Sequence, residues 1–406
     1  MALEVTFVVV KQSSKMLSAS TLNPTIKHQS TRPVLIRLPS YHPSRWRWRP
    51  KPKPKQKQKQ SHLAVLCSST IPATPISEEE QNAIKLELND IKSICKSWTW
   101  RGYNINYLIY SGGNDNRTSP SPSPPPPPVL LVHGFGASVA HWRYNIPAIA
   151  QTGCPVYAVD LLGFGASDKP IGFPYTMEAW SELILDFINE IIQKPTILVG
   201  NSVGSLACVI AAANSSSSVR GLVLLNCAGG MNNKAIVDDW RIKLVLPLLW
   251  LIDFLLKQKS IANFIFNKAK DKENIMNVLR SVYGNKAAVD DELVEIIRVP
   301  AEDDGALDAF VSIVTGPPGP NPVKLIPTLK EKNLPVLVLW GDEDPFTPID
   351  GPVGKYFTAV AGEFANVELF VLNGVGHCPH DDRPELVHER LLPWLASFPT
   401  FTTTTS

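Results

Sequence analysis

Gly200-Asn201-Ser202-Val203-Gly204 stands between two apolar segments of different character. Thr196–Val199 is a short, uninterrupted apolar run of the kind that forms a buried strand, and Val203–Ala213 is small and apolar over a helix-length stretch. A chain passes from strand to helix this abruptly only through a sharp turn. Small residues two positions to either side of the turn let the strand and helix run close together. The residue at the tight point takes strained backbone angles. Its side chain stands over the first turn of the helix, where the N–H groups favour developing negative charge. A Gly-rich turn with a capping serine is the other reading of the pentapeptide. The strand before it and the helix after it favour an exposed nucleophile, Ser202.

The same alternation runs along much of the chain. Val129–Val132, Val156–Val159, Gly221–Leu225, Val336–Trp340 and Val367–Leu372 are further strand candidates, and Ala140–Gln151, Thr176–Gln193 and Pro384–Ala396 are helix candidates. Strands alternating with helices argue for an α/β protein with a mostly parallel, doubly wound sheet. Ser97–Tyr110, alternating about Arg101-Gly102, reads as a hairpin ahead of that sheet. Ser111–Pro128 ends in five consecutive prolines and reads as an exposed loop. The alternation stops after Cys227. Residues 229–334 are helical in pattern, with Pro-rich joints at Gly316–Pro322, and are too long for a loop. The expected layout is a sheet domain of residues 97–228 and 335–398, a helical cap insertion of residues 229–334, a lead-in of 68–96 and a disordered tail of 399–406.

A serine nucleophile needs a base, and in the α/β-hydrolase fold the order along the chain is serine, acid, histidine. His377, in Gly374-Val375-Gly376-His377 just past Val367–Leu372, has the place of a residue at the carboxyl end of a strand, pointing into the crevice. His380 and His388 are its competitors, and His388 falls inside the final helix. The acid, which would hold the imidazole and stabilise its cation, belongs after Val336–Trp340, in Gly341-Asp342-Glu343-Asp344. Asp344, followed by Pro345, has the spacing of this fold, with Asp342 as second choice and Glu343 read as solvated. Backbone donors for an oxyanion would be Val203, after the nucleophile, and Phe135, in His133-Gly134-Phe135-Gly136. His133 reads as a brace for that loop. Asp160 and Asp168 read as turn and cap residues.

Composition separates the two ends of the chain. Residues 1–60 carry thirteen Lys or Arg and one acid, Glu4, leaving 26 basic and 36 acidic residues in 61–406, a net of about −10. An acidic body argues against nucleic acid as a partner. The basic, Ser- and Pro-rich stretch of residues 1–67 has the composition of an organelle transit peptide, plastid first and mitochondrial second. No run reaches the roughly 18 apolar residues of a membrane span. The six scattered cysteines suggest a reducing compartment without a disulfide frame or a metal site.

Leu244–Leu256 holds one charge in thirteen residues. It reads either as a buried helix of the insertion, kinked at Pro247, or as a greasy lid in which Leu248, Leu249, Trp250 and Phe254 meet a lipid substrate or a bilayer surface.

With these residues in place, the stretch from Ser97 to Leu395 resembles the chlorophyll dephytylases of plant chloroplasts, relatives of pheophytinase. The resemblance rests on His133–Ser138, Asp160–Gly165 and Gly200–Ser205, which α/β-hydrolases share widely. More specific are Asn226–Asn233 and Gly305–Phe310 continuing to Thr315–Pro320. It implies a Ser202–His377–Asp344 triad and hydrolysis of the phytyl ester of chlorophyll to chlorophyllide and phytol, at the thylakoid membrane; the apolar run Leu244–Leu256, with no spanning segment, predicts peripheral attachment there. No metal or organic cofactor is implied, since the magnesium belongs to the substrate. It leaves open a preference for pheophytin and the protein's own partners. The residues also leave open another lipid or carbonyl hydrolase of this fold, and a ligand receptor that retains a triad. A serine at the turn argues against the dehalogenases and epoxide hydrolases of this fold, which carry aspartate there.

Overall fold

A computed structural model of the chain describes residues 85–112, 126–215, 217–232 and 250–398. Residues 1–67, read as a transit peptide, most of the Pro-rich loop, Leu248, Leu249 and residues 399–406 lie outside the described residues.

The molecule is organised on one eight-stranded sheet of order β1-β2-β4-β3-β5-β6-β7-β8. The strands are β1 (Cys95–Trp100), β2 (Tyr103–Tyr110), β3 (Val129–Val132), β4 (Val156–Val159), β5 (Thr196–Asn201), β6 (Val219–Leu225), β7 (Val336–Gly341) and β8 (Val367–Leu372). β1 and β2 form the expected hairpin, begun two residues earlier than its sequence pattern, and β2 also runs antiparallel to β4. The hairpin turns at Arg101 and Gly102, both at positive φ (50° and 86°), the two-residue geometry that matches strand twist. From β4 to β8 every pairing is parallel.

The central strands are predominantly apolar, and β3 is so at every position, because helices cover both faces. In β3, Leu130 and Val132 join a core with Trp180 and Leu206, whereas Val129 and Leu131 join one on the opposite face with Ile146 and Leu391. The covering helices include α1 (Leu88–Ile94), α2 (Asn145–Gln151), α3 (Met177–Phe187) and α4 (Val203–Asn214). The single helix expected over Ala140–Gln151 is broken into a 3-10 turn, Val139–Trp142, and α2. Pro147 explains the break: restarting at Asn145 puts this residue without an N–H in the first turn, where no donor is needed. The helix expected over Thr176–Gln193 starts as read, with Thr176 Oγ1 capping Ala179 N. It finishes in a π turn, Ile188–Ile192, before Gln193 turns left-handed.

Between β6 and β7 the described chain is helical: residues 250–256, α5 (Lys259–Ala269), α6 (Lys272–Val282), α7 (Asp291–Arg298), α8 (Ala306–Thr315) and α9 (Pro322–Glu331). Leu256, Phe266, Ala306, Phe310 and Val314 form one apolar cluster of this region, and Ile275, Leu279, Val282, Leu293 and Val294 form another. After β7 come α10 (Pro352–Glu363), the short α11 (Pro379–Asp382) and α12 (Pro384–Ala396). Among the described residues no helix is long and apolar enough to cross a membrane.

Candidate active site

Ser202 sits between β5 and α4 at φ 54°, ψ −119°, a strained conformation for a residue with a side chain. The neighbouring glycines make the turn possible. A Cβ on Gly204 would lie 2.3 Å from the His133 carbonyl oxygen, and one on Gly200 would lie 2.5 Å from Ser205 N. Both collisions are with backbone, which cannot step aside as a flexible side chain could.

The structure brings together three of the residues singled out in the sequence. His377 Nε2 is 2.9 Å from Ser202 Oγ, and His377 Nδ1 is 2.8 Å from Asp344 Oδ2. All three side chains are buried. They arrive from the carboxyl ends of β5, β7 and β8. Asp344 also accepts from Asn226 Nδ2 at 2.6 Å, from the Phe346 and Thr347 amides, and from the Thr347 hydroxyl. Burial by itself would raise the Asp344 carboxyl. The facing His377 and these donors outweigh burial and hold it well below the ordinary carboxylate range. The competing acids do other things. Asp342 is exposed and accepts from the Gly374 amide at 2.8 Å, and Glu343 is exposed.

The flanking residues fall as follows. His133 is fully buried and its Nδ1–H donates to the Gly134 carbonyl while Nε2 accepts from Leu161 N, so it braces the loop. Phe135 lines the cavity beside Ser202 and packs on Phe164 and Phe310. Val203 is the first residue of α4, so its N–H belongs to the turn that lacks intrahelical acceptors. Asp160 accepts from Val139 N, Ala166 N and Asn106 Nδ2, and Asp168 from Asn104 N.

Over Ser202 lies an apolar cavity of about 210 Å³. The cap supplies much of its wall, through Phe266, Ile275, Val278, Leu279, Ile297 and Phe310. Trp250 and Phe254, read as meeting a lipid substrate or a bilayer surface, are not in that wall; they stand 73% and 61% exposed on the surface. Helical spacing explains the difference. In residues 250–256 it is Leu256 that turns inward, which leaves Trp250 and Phe254 on the outer face.

Sequence reasoning missed a second buried network beside the triad. Tyr283 donates its hydroxyl proton to Asp381 at 3.0 Å, so its oxygen is left to accept from His141 Nε2 at 2.7 Å. His141 Nδ1 in turn accepts from His380 Nε2 at 3.3 Å. Burial keeps both imidazoles neutral, with His141 pushed down to about 4. Asp381 is anchored by Arg143, whose guanidinium also reaches Asp290 and Glu292 of the cap. Asn226 was visible in the sequence as part of a motif, but nothing local pointed to its bond with a residue 118 positions away.

An elbow serine bonded to a histidine that is itself bonded to a buried carboxylate, on a sheet of this order, defines a hydrolase fold. Residues 127–384 match the family described as alpha/beta hydrolase fold, and the chain belongs to it. Among its relatives, the uncharacterized hydrolase YugF of Bacillus subtilis is 26% identical over 306 residues, covering 75% of this chain and 98% of its own length. The chloroplastic pheophytinase of Arabidopsis thaliana is 25% identical over 323 residues, 70% of this chain and 62% of its own. Among solved structures, the meta-cleavage product hydrolase CumD of Pseudomonas fluorescens IP01 has a TM-score of 0.55 at 21% identity, over 75% of this chain and 98% of that one, a likeness of fold.

Proposed function

We propose that this hydrolase is a chloroplast serine esterase that removes the phytyl chain from chlorophyll or a closely related phytylated pigment. The observation that carries the reading is the unbroken chain from Ser202 Oγ through His377 to Asp344 beneath an apolar cavity. Ser202 Oγ attacks the ester carbonyl as His377 Nε2 takes its proton. Asp344 holds the Nδ1–H and stabilises the imidazolium. The amides of Val203 and Phe135 receive the negative charge of the tetrahedral intermediate. His377 then protonates the departing phytol oxygen, leaving the pigment's acyl group on Ser202. Water, activated by the same imidazole, releases chlorophyllide. The apolar lining of the cavity suits part of a hydrocarbon chain next to Ser202, with the ring system at its mouth.

The pigment reading is supported by the resemblance in Asn226–Asn233 and Gly305–Pro320 and by the likeness to pheophytinase. The basic residues 1–67 support delivery to plastids. Trp250, Leu251, Phe254 and Phe264 are large apolar side chains exposed on the cap, with exposed Lys257, Lys259 and Lys268 nearby in sequence, and together with Leu248 and Leu249 they suit peripheral contact with the thylakoid bilayer. At about 1.5–3 kcal/mol per large side chain buried, three or four insertions suffice for reversible attachment.

The test is incubation of the purified protein, with and without residues 1–67, with chlorophyll and pheophytin in detergent, pigments being resolved by chromatography. Chlorophyllide or pheophorbide should form with wild type and not with Ser202→Ala. Turnover of p-nitrophenyl esters without pigment cleavage would move the substrate to another lipid or carbonyl compound. Absence of turnover on both would favour a receptor. Trp250→Asp with Phe254→Asp should release the protein from liposomes while sparing a soluble ester.

A further inference from the structure

Beyond His377 the chain continues Cys378-Pro379-His380-Asp381-Asp382, and its two buried aspartates have different partners. Asp381 faces the Arg143 guanidinium, with Nε at 2.9 Å. Asp382 faces backbone. Its Oδ2 accepts from Gly376 N at 2.6 Å and Gly284 N at 2.7 Å, and its Oδ1 accepts from Asn285 N at 2.7 Å. Gly376 immediately precedes His377, whereas Gly284 and Asn285 lie in the cap just past α6. One carboxylate therefore joins two segments about 90 residues apart in sequence.

The same segments also touch directly. His377 N–H donates to the Val282 carbonyl at 2.8 Å. A Cβ on Gly376 would lie 2.0 Å from that carbonyl oxygen, and one on Gly284 would lie 2.2 Å from the Gly374 carbonyl oxygen. Cap and histidine loop meet backbone to backbone. Asp342 holds the Gly374 and Val375 amides from the surface and Val375 packs its side chain in the core, which leaves the amide of Gly376, the residue next to His377, to Asp382; the two glycines would otherwise permit many backbone paths. A reacting ring has to be held to within about 0.5 Å, which calls for a fixed support. A buried carboxylate that accepts three amide protons is such a support.

We propose that Asp382 is a positioning residue for His377: it fastens the histidine loop to the cap, so that the imidazole stands between Ser202 and Asp344 only while the cap is seated. The proposal rests on the assignment of His377 as the base. Asp382 acts through the Gly376 amide and the Val282–His377 contact. Burial raises its carboxyl above the ordinary range despite those three amides.

The test combines turnover, labelling and exchange in the full-length protein. Asp382→Ala should lower kcat on p-nitrophenyl butyrate by about 10- to 100-fold, with KM within about twofold, since displacement of a reacting group by an ångström costs about that much. Reaction of Ser202 with a small fluorophosphonate should slow in parallel. Asp382→Asn keeps one carbonyl oxygen able to accept from Gly376 and Gly284 but turns an amide NH2 toward Asn285 N–H, and should recover part of the loss. Amide hydrogen exchange should show Gly376, His377, Gly284 and Asn285 losing protection together in Asp382→Ala. A lowered Tm with wild-type kcat and labelling rate in the folded protein overturns the proposal, as does raised KM at unchanged kcat. Unchanged exchange at those four amides overturns it without recourse to turnover. If wild-type Ser202 does not react with the fluorophosphonate, the serine-esterase reading fails, and the exchange measurement still decides whether Asp382 holds loop to cap.

Discussion

Asn226 donates its side-chain N–H to Asp344 Oδ2 at 2.6 Å and accepts from the Gly341 amide at 3.0 Å, which ties the end of β6 to the acid that follows β7. It does so from a left-handed backbone conformation, φ 44°, which asparagine tolerates better than most residues. Asn226→Leu would leave the Gly341 N–H buried without its partner, a loss of about 1–3 kcal/mol, and would free one side of Asp344. Urea unfolding should register that loss, and kcat on a soluble ester should fall by about tenfold or more, as for a lost charged-group hydrogen bond.

The two carboxylates after β7 make opposite expectations. Asp344→Asn should fold and lose about 10³–10⁴ in kcat, because the imidazole then lacks its acceptor. Asp342→Asn, which touches only loop amides from the surface, should stay near wild type. Steady-state kinetics on a p-nitrophenyl ester separates them, and reversed effects would reassign the acid.

Buried neutral histidines set the acid limit of stability. Burial lowers the affinity of His133, His141 and His380 for protons, and His141 is held near 4. As pH falls through about 6.5, an unfolded chain protonates these rings and the native protein does not, so each removes up to about 1.4 kcal/mol per pH unit until its folded pKa is reached. For His141 that window runs from about 6.5 down to about 4. Asp344, held low, keeps its contribution throughout this window and loses it only below, while Asp382, held high, works in the opposite direction as it protonates. Unfolding free energy measured by urea should therefore drop between pH 7 and pH 5, and His141→Gln should shallow that slope by about one proton's worth. A flat profile over this range would contradict the argument.

Cavity walls should control chain length more than chemistry. Leu279 and Phe310 line the space above Ser202 from α6 and α8. Leu279→Trp should raise KM for p-nitrophenyl palmitate by about tenfold or more while leaving p-nitrophenyl acetate nearly unchanged, since a few lost methylene contacts are worth about 1–3 kcal/mol. Equal effects on both esters would place the chain-binding space elsewhere.

The sheet was legible because each strand announces itself locally: β3, β4 and β8 have the bounds of their apolar runs, and the Arg101-Gly102 turn follows from alternation on either side. The elbow was legible for the same reason, strand, turn and helix being contiguous. Ser202, Asp344 and His377 could be named because each stands at a strand's carboxyl end and their order is fixed by the fold. What stayed hidden depends on distant pairing. Asn226 to Asp344, Arg143 to Asp381, and Asp382 to Gly284 each join segments that nothing local relates. The cap resisted for another reason: amphipathic helices mark an apolar face without saying whether it meets core, cavity or solvent. Trp250 and Phe254 were read as meeting either a lipid substrate or a bilayer surface, and they stand outward, whereas Phe266 and Leu279 form the wall.

The cap leaves the sheet after Leu225 and rejoins it at Val336, in strands that are direct neighbours with Leu222 opposite Val336. Because these strands are parallel, the insertion starts at the carboxyl end of one and returns at the amino end of the other, as any crossover must, and its length can change during evolution without changing the pairing of either strand, and so without disturbing the spacing of Ser202, Asp344 and His377. The cap can then diversify while the arrangement of those three side chains is inherited unchanged. The graft is not wholly free, however: a foreign cap would have to bring amides to the places of Gly284 and Asn285, or the histidine loop would inherit a carboxylate with nothing on the far side to grip.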